Sequence, residues 1–171
     1  MSRTIWSSHP LLSQFWNRKC DPRTVNFWLM SGGPWKLLMF TFGYIVVVVF
    51  GTRLMRPRKP FELRSPMLIY NILLVLINGF FLYEALVWTS FGSRLLDFRF
   101  PSPNNRSKEA MRIVNMFYYY QWTKFLDYFD TFFFILRKKE NQLSILHIYH
   151  HISVPIIGWI SSWVSSLQVF G

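Results

Sequence analysis

Four long apolar runs, parted by short clusters of charge, set the pattern of this chain. Crossing ~30 Å of hydrocarbon takes about 20 helical residues, and all four runs meet or approach that length. The first, "PWKLLMFTFGYIVVVVFGTRLM" (34–55), is rich in β-branched residues. In lipid, however, only a helix or a closed barrel satisfies the backbone, and the run is too continuous for alternating barrel strands. The second, "PMLIYNILLVLINGFFLYEALVW" (66–88), is interrupted only by Asn71, Asn78 and Glu84. The third, about 112–136, embeds Lys124, Asp127 and Asp130, and the fourth, about 145–166, opens on a histidine cluster and turns weakly polar near its end. The pattern predicts an all-α fold, a polytopic membrane bundle with about four transmembrane helices in a single domain over 1–171.

Composition sharpens this picture. The chain has 171 residues with 18 Phe, 8 Trp and 8 Tyr, and its 19 Lys and Arg against 8 acids give a formal charge of +11. A basic nucleic-acid-binding domain would line one face of a soluble fold with its cations. Here they gather between apolar spans, which argues against nucleic acid and for a lipid bilayer. Cys20 is the sole cysteine, so an intrachain disulfide, a CxxC redox motif and a Cys-based zinc site are excluded. Arg18, Lys19, Asp21 and Arg23 break up any signal-peptide core, and the first span is expected to act as an uncleaved anchor.

The loop "RLMRPRKPFELR" (53–64) holds five cations and one acid, and the turn "RKKE" (137–140) holds three cations. They flank alternate spans and so share one side, which the positive-inside tendency makes cytosolic, with a lumenal N-terminus. The other side also carries cations, Arg94, Arg99, Arg106, Lys108 and Arg112 among them. Pro101 and Pro103 mark that loop as irregular, and Asn105-Arg106-Ser107 forms a glycosylation sequon within it.

Ionisable residues inside a span cost a few kcal/mol each on insertion scales, roughly, and therefore face a cavity or one another. On a regular helix Lys124, Asp127 and Thr131 fall within about 60° of one another, Tyr120 lies one turn before Lys124, and Asp130 stands at the stripe's edge. A Lys and an Asp at i and i+3 can simply pair and pin the helix to its neighbours.

The run "LHIYHH" (146–151) sets His147, His150 and His151 as a wide fan on the fourth helix. Neutral imidazole can ligate a metal, act as a general base or attack an acyl carbon. HxxHH also occurs among the several histidine boxes of membrane di-iron enzymes, but this chain has one box and only His9 besides. A single zinc could take three histidines. Adjacent His150 and His151 do not readily aim at the point His147 faces, so acid–base or covalent acyl chemistry, with no metal, fits better.

The stretches "DPRT" (21–24), "WLMSGGPW" (28–35), "YNILLVLINGFFLYE" (70–84) and, above all, "KFLDYFDTFFFILRKKENQLSILHIYHH" (124–151) resemble the ELO family of fatty acid elongases. The resemblance implies a seven-helix bundle around a narrow acyl tunnel in the endoplasmic reticulum membrane. It also implies the condensation of a long-chain acyl-CoA with malonyl-CoA to a 3-oxoacyl-CoA, with loss of carbon dioxide. No bound cofactor is implied, the two thioesters being substrates. By the same resemblance His147, His150 and His151 form the box, with His150 favoured as nucleophile and Asp130 among the groups that orient the rings. Lys124, Asp127, Asp130 and Thr131 match a KxxExxDT motif in which Asp127 replaces the usual Glu. The cationic turns would draw in the CoA phosphates.

The resemblance further implies three more helices and an HxxMYxYY motif, neither of which these 171 residues contain. After Trp163 the sequence leaves the course the resemblance implies, and the chain reads as a C-terminally shortened elongase. Other elongation-cycle enzymes, or an elongase homo-oligomer, are the implied protein partners. The alternative is an inactive short form that binds and modulates full-length elongases.

Overall fold

The computed structural model describes Trp16, residues 21–93 and residues 101–164. Cys20, His9, Arg94, Arg99 and the last two residues of the expected fourth span lie outside the described residues. All regular structure among the described residues is helical: α1 (Trp35–Met55), α2 (Arg64–Trp88), α3 (Lys108–Leu126), α4 (Tyr128–Leu136) and α5 (Ile145–Val164). A 3₁₀ turn, Glu140–Gln142, precedes α5.

Two of these helices, α1 and α2, are long and apolar enough to cross a membrane. At 1.5 Å per residue the 25 residues of α2 reach about 37 Å, more than the hydrocarbon thickness. None of its side chains is buried in the bundle. In water such a surface would be untenable, so α2 shows one face to lipid and packs the other on α3 and α4 through Phe81 against Tyr120 and Tyr70 against Phe133. α1 is α-helical to Val46, widens into a π turn over Val47–Gly51 and resumes at Thr52.

The third expected span, 112–136, is not one continuous helix. It starts at Lys108, where Ser107 Oγ accepts the Ala110 N–H at 3.2 Å and Asn105 Oδ1 accepts the Ser107 N–H at 2.9 Å. It then breaks at Asp127, which separates α3 from α4. The Asp127 N–H still reaches the Thr123 carbonyl at 3.1 Å, but Asp130 N–H bonds the Asp127 carbonyl at 3.2 Å, an i to i+3 tightening. A constant 100° per residue therefore does not carry across this point, and the two acids of the motif diverge.

The core lies where α1, α3 and α5 meet the segment 21–34. Leu29, Met30, Leu37, Tyr44, Phe125, Tyr128 and Trp159 are its buried side chains, with Phe40 stacked on Phe125 at 4.6 Å. Trp159 Nε1 donates to the Leu29 carbonyl at 3.3 Å. Gly33, at φ +102°, lets Trp16 lie where a Cβ would stand, 2.7 Å from its Cδ1.

Two sets of contacts tie the loops at opposite ends of the helices. At one end Lys138 Nζ donates to the Arg56 and Arg58 carbonyls at 3.0 Å each, and Phe61 N–H to the Leu136 carbonyl at 3.0 Å. The two basic turns are thus bound to each other, on one side as the sequence requires. At the other end buried Asp21 and Arg23 form a bidentate pair. Arg23 also donates to the carbonyls of Pro101, Ser102 and Asn105 at 3.0 to 3.1 Å, fastening the irregular loop to the segment that precedes α1.

Candidate active site

The first turns of α5 bring the histidines together because residues three and four apart share a helix face. His147 and His151 lie with ring centroids 4.2 Å apart and planes tilted by 59°, and His150 stands edge-on to His151 at 5.6 Å. Their surroundings differ. His151 is buried, flanked by the rings of Tyr44 at 6.0 Å and Tyr128 at 6.2 Å. His147 is half-buried against Phe134 at 5.2 Å, and its Nε2 lies 2.8 Å from Thr131 Oγ1. His150 is exposed, and among the described residues its ring has no hydrogen-bond partner.

Thr131 is the fully buried centre of the site. α4 carries it between α1 and α5, where its hydroxyl meets both His147 Nε2 and, at 3.1 Å, Tyr44 Oη. Lys124 and Asp127 pair as their spacing allows, with Nζ 3.0 Å from Oδ2 and 4.6 Å from the centre of the Tyr120 ring. Their charges are close enough to act on His151.

Asp130 takes a different direction. Its carboxyl faces Tyr70 of α2, whose phenol donates to the Leu126 carbonyl at 3.1 Å. Among the described residues no hydrogen bond joins Asp130 to a histidine, so the group that touches the box is Thr131 and not the acid before it. The reason is that Asp130 and Thr131 are neighbours on α4, about 100° apart around its axis, so that with Thr131 facing the box Asp130 faces α2. The sequence reading missed Tyr44, Tyr128 and Tyr70. A phenol inside "FGYIVVVV" was the one available signal, because a hydroxyl in an otherwise apolar span needs a partner.

No three His, Cys, Asp or Glu side chains among the described residues are grouped as a metal site would require. A largely apolar cavity of about 260 Å³ runs between α3, α5 and the segment 21–34. Lys124 and Val154 line one end, Asp21, Arg23 and Val114 the other, roughly 15 Å along α3. The histidines do not line it, but Val154 lies one turn beyond His151.

These features define a membrane helical bundle with a histidine cluster one helical turn from an apolar cavity. The chain belongs to the ELO family, GNS1/SUR4, whose match covers residues 28–170. The match passes Trp163, where the sequence was expected to leave the family's course, so that expectation is corrected. The chain is 37% identical to very long chain fatty acid elongase 7 of Rattus norvegicus over 150 residues, 84% of this chain and 51% of the relative. It is 37% identical to elongase 7 of Drosophila melanogaster over 146 residues, 84% and 43% of the two chains. With elongase 4 of Homo sapiens it shares 33% over 156 residues, 91% of this chain and 49% of the relative. The chain thus spans about half the length of the curated relatives it matches.

Proposed function

We propose that this chain carries the condensing site of a fatty acid elongase, joining a long-chain acyl-CoA to malonyl-CoA in the endoplasmic reticulum membrane as a multi-pass protein. The observation that carries the reading is the division of labour in the box: His147 is held by Thr131, His151 is buried against two tyrosines, and His150 stands free. A free neutral imidazole is the group that can attack a thioester. In the proposed course a ring nitrogen of His150 bonds the acyl carbonyl carbon as the carbon–sulfur bond breaks and CoA thiolate leaves. Malonyl-CoA then loses carbon dioxide, and the resulting enolate carbon takes the acyl group from the imidazole to form 3-oxoacyl-CoA. Both reactants bring their own activation, so the chemistry needs no resident cofactor.

The remaining features fit this course. The apolar cavity beside Lys124 suits an alkyl chain, and the paired basic turns, with Arg56, Arg58, Lys59 and Lys139 exposed, suit the CoA phosphates. Microsomes from a host without its own elongases, expressing the 171-residue chain, should convert acyl-CoA and labelled malonyl-CoA to a product two carbons longer. Conversion should vanish in His150→Ala. A stably inserted chain that gives no product would overturn the reading for this form of the protein and leave a binding role.

A further inference from the structure

The hydrogen-bonded chain from Tyr44 Oη through Thr131 Oγ1 to His147 Nε2 joins three helices at the depth of the box, with links of 3.1 and 2.8 Å. We propose that Thr131, itself held by Tyr44, is a positioning residue which fixes the tautomer of His147, leaving Nε2 as an acceptor and the proton on Nδ1. The inference rests on the condensing-site reading for its purpose, but not for its geometry.

The direction of the chain follows from where each hydrogen can go. Tyr44 and Thr131 are 3% and 0% exposed, so neither hydroxyl can donate to bulk solvent. If His147 donated from Nε2 to Thr131 and Thr131 donated onward to Tyr44, the phenol hydrogen would have no acceptor among the described residues. If Tyr44 and His147 both donated to Thr131, its own hydrogen would need the carbonyl one turn back. Thr41 and Thr52 make that back-bond, to Leu37 and Val48, but Thr131 does not. Either arrangement strands a buried donor, which costs roughly 1–3 kcal/mol. Only Tyr44 to Thr131 to His147 Nε2 places both hydroxyl hydrogens.

The ring plane is fixed as well, by Phe134 on one flank and His151 on the other. With Nε2 occupied, His147 is not available as a nucleophile through that nitrogen, and Nδ1–H becomes its single donor. A donor held in place before the reaction is what stabilises negative charge on an oxygen as it develops. His147 is thereby assigned to the oxyanion or enolate, and His150 to the acyl group.

The test is spectroscopic. With the full 171-residue chain carrying ¹⁵N in its imidazole rings and reconstituted in nanodiscs, the signals of His147 are identified by their loss in His147→Gln. The expected result is a single neutral tautomer, protonated at Nδ1, retained in Thr131→Ser and in Tyr44→Phe, where Nε2 is still the one acceptor for the Thr131 hydrogen among the described residues, and lost to a mixture in Thr131→Val. A wild-type His147 protonated at Nε2 would overturn the proposal without any variant needing to fold. So would a Thr131→Val protein whose tautomer is unchanged. An inactive chain with the Nδ1–H tautomer intact would count against the condensing function and not against the relay, so the two failures are separable.

Discussion

The ammonium of Lys124 sits 3.0 Å from Asp127 Oδ2, with the two side chains 14% and 23% exposed. Each charge would be costly alone in a span, and each lowers the other's desolvation penalty. Removing one partner leaves the other uncompensated, whereas removing both leaves an apolar surface suited to lipid. Lys124→Met and Asp127→Leu are therefore each expected to destabilise by roughly 1–3 kcal/mol, and the double variant by less than their sum. Thermal unfolding in detergent, followed by tryptophan fluorescence, measures this; simple additivity would show that the pair is not coupled. Asp127→Glu, which retains the charge, should behave as wild type. This pair was legible in the sequence because its members lie three residues apart. Tyr44, Thr131 and His147 were not legible as a unit, because periodicity within a run is silent on what faces it from another helix.

At the scale of elements, the junction of α3 and α5 depends on two residues that are poor helix formers. Pro155 lies inside α5, and its carbonyl accepts Gln121 Nε2 at 2.7 Å across the interface. Gly158, one turn along, leaves room for Gln121 Oε1, which would collide with any Cβ there. Alanine normally stabilises a helix interior by about 1 kcal/mol relative to glycine. In Gly158→Ala the buried Gln121 side chain must instead move and lose its bond to Pro155, at a cost of roughly 1–3 kcal/mol. A loss of stability that is reversed by adding Gln121→Ala would support this account, and a stabilised Gly158→Ala protein would refute it. Apolar length alone marked the positions of the helices to within a few residues. The break at Asp127 was hidden because the run around it stays apolar on both sides, and it is the Asp130 N–H bond to the Asp127 carbonyl that reveals it.

At the scale of the molecule, the two tied ends give the bundle a direction. Lys138 binds the backbone of the 56–58 turn, and Arg23 binds the 101–105 loop at the far end. If the helices between them cross a bilayer, the two basic turns emerge together on one side, and the positive-inside tendency makes that side cytosolic. Lys59, Lys139 and Asn104 are all exposed, so a single cysteine at each, with Cys20 replaced by serine, reports its side without disturbing the packing. In sealed microsomes a membrane-impermeant maleimide should label Lys59→Cys and Lys139→Cys alike, and Asn104→Cys only after detergent is added. Labelling of Asn104→Cys alone would reverse the orientation while keeping the two basic turns on one side. Unequal access at positions 59 and 139 would be the more damaging result, since a lysine cannot bond the carbonyls of a turn across a membrane.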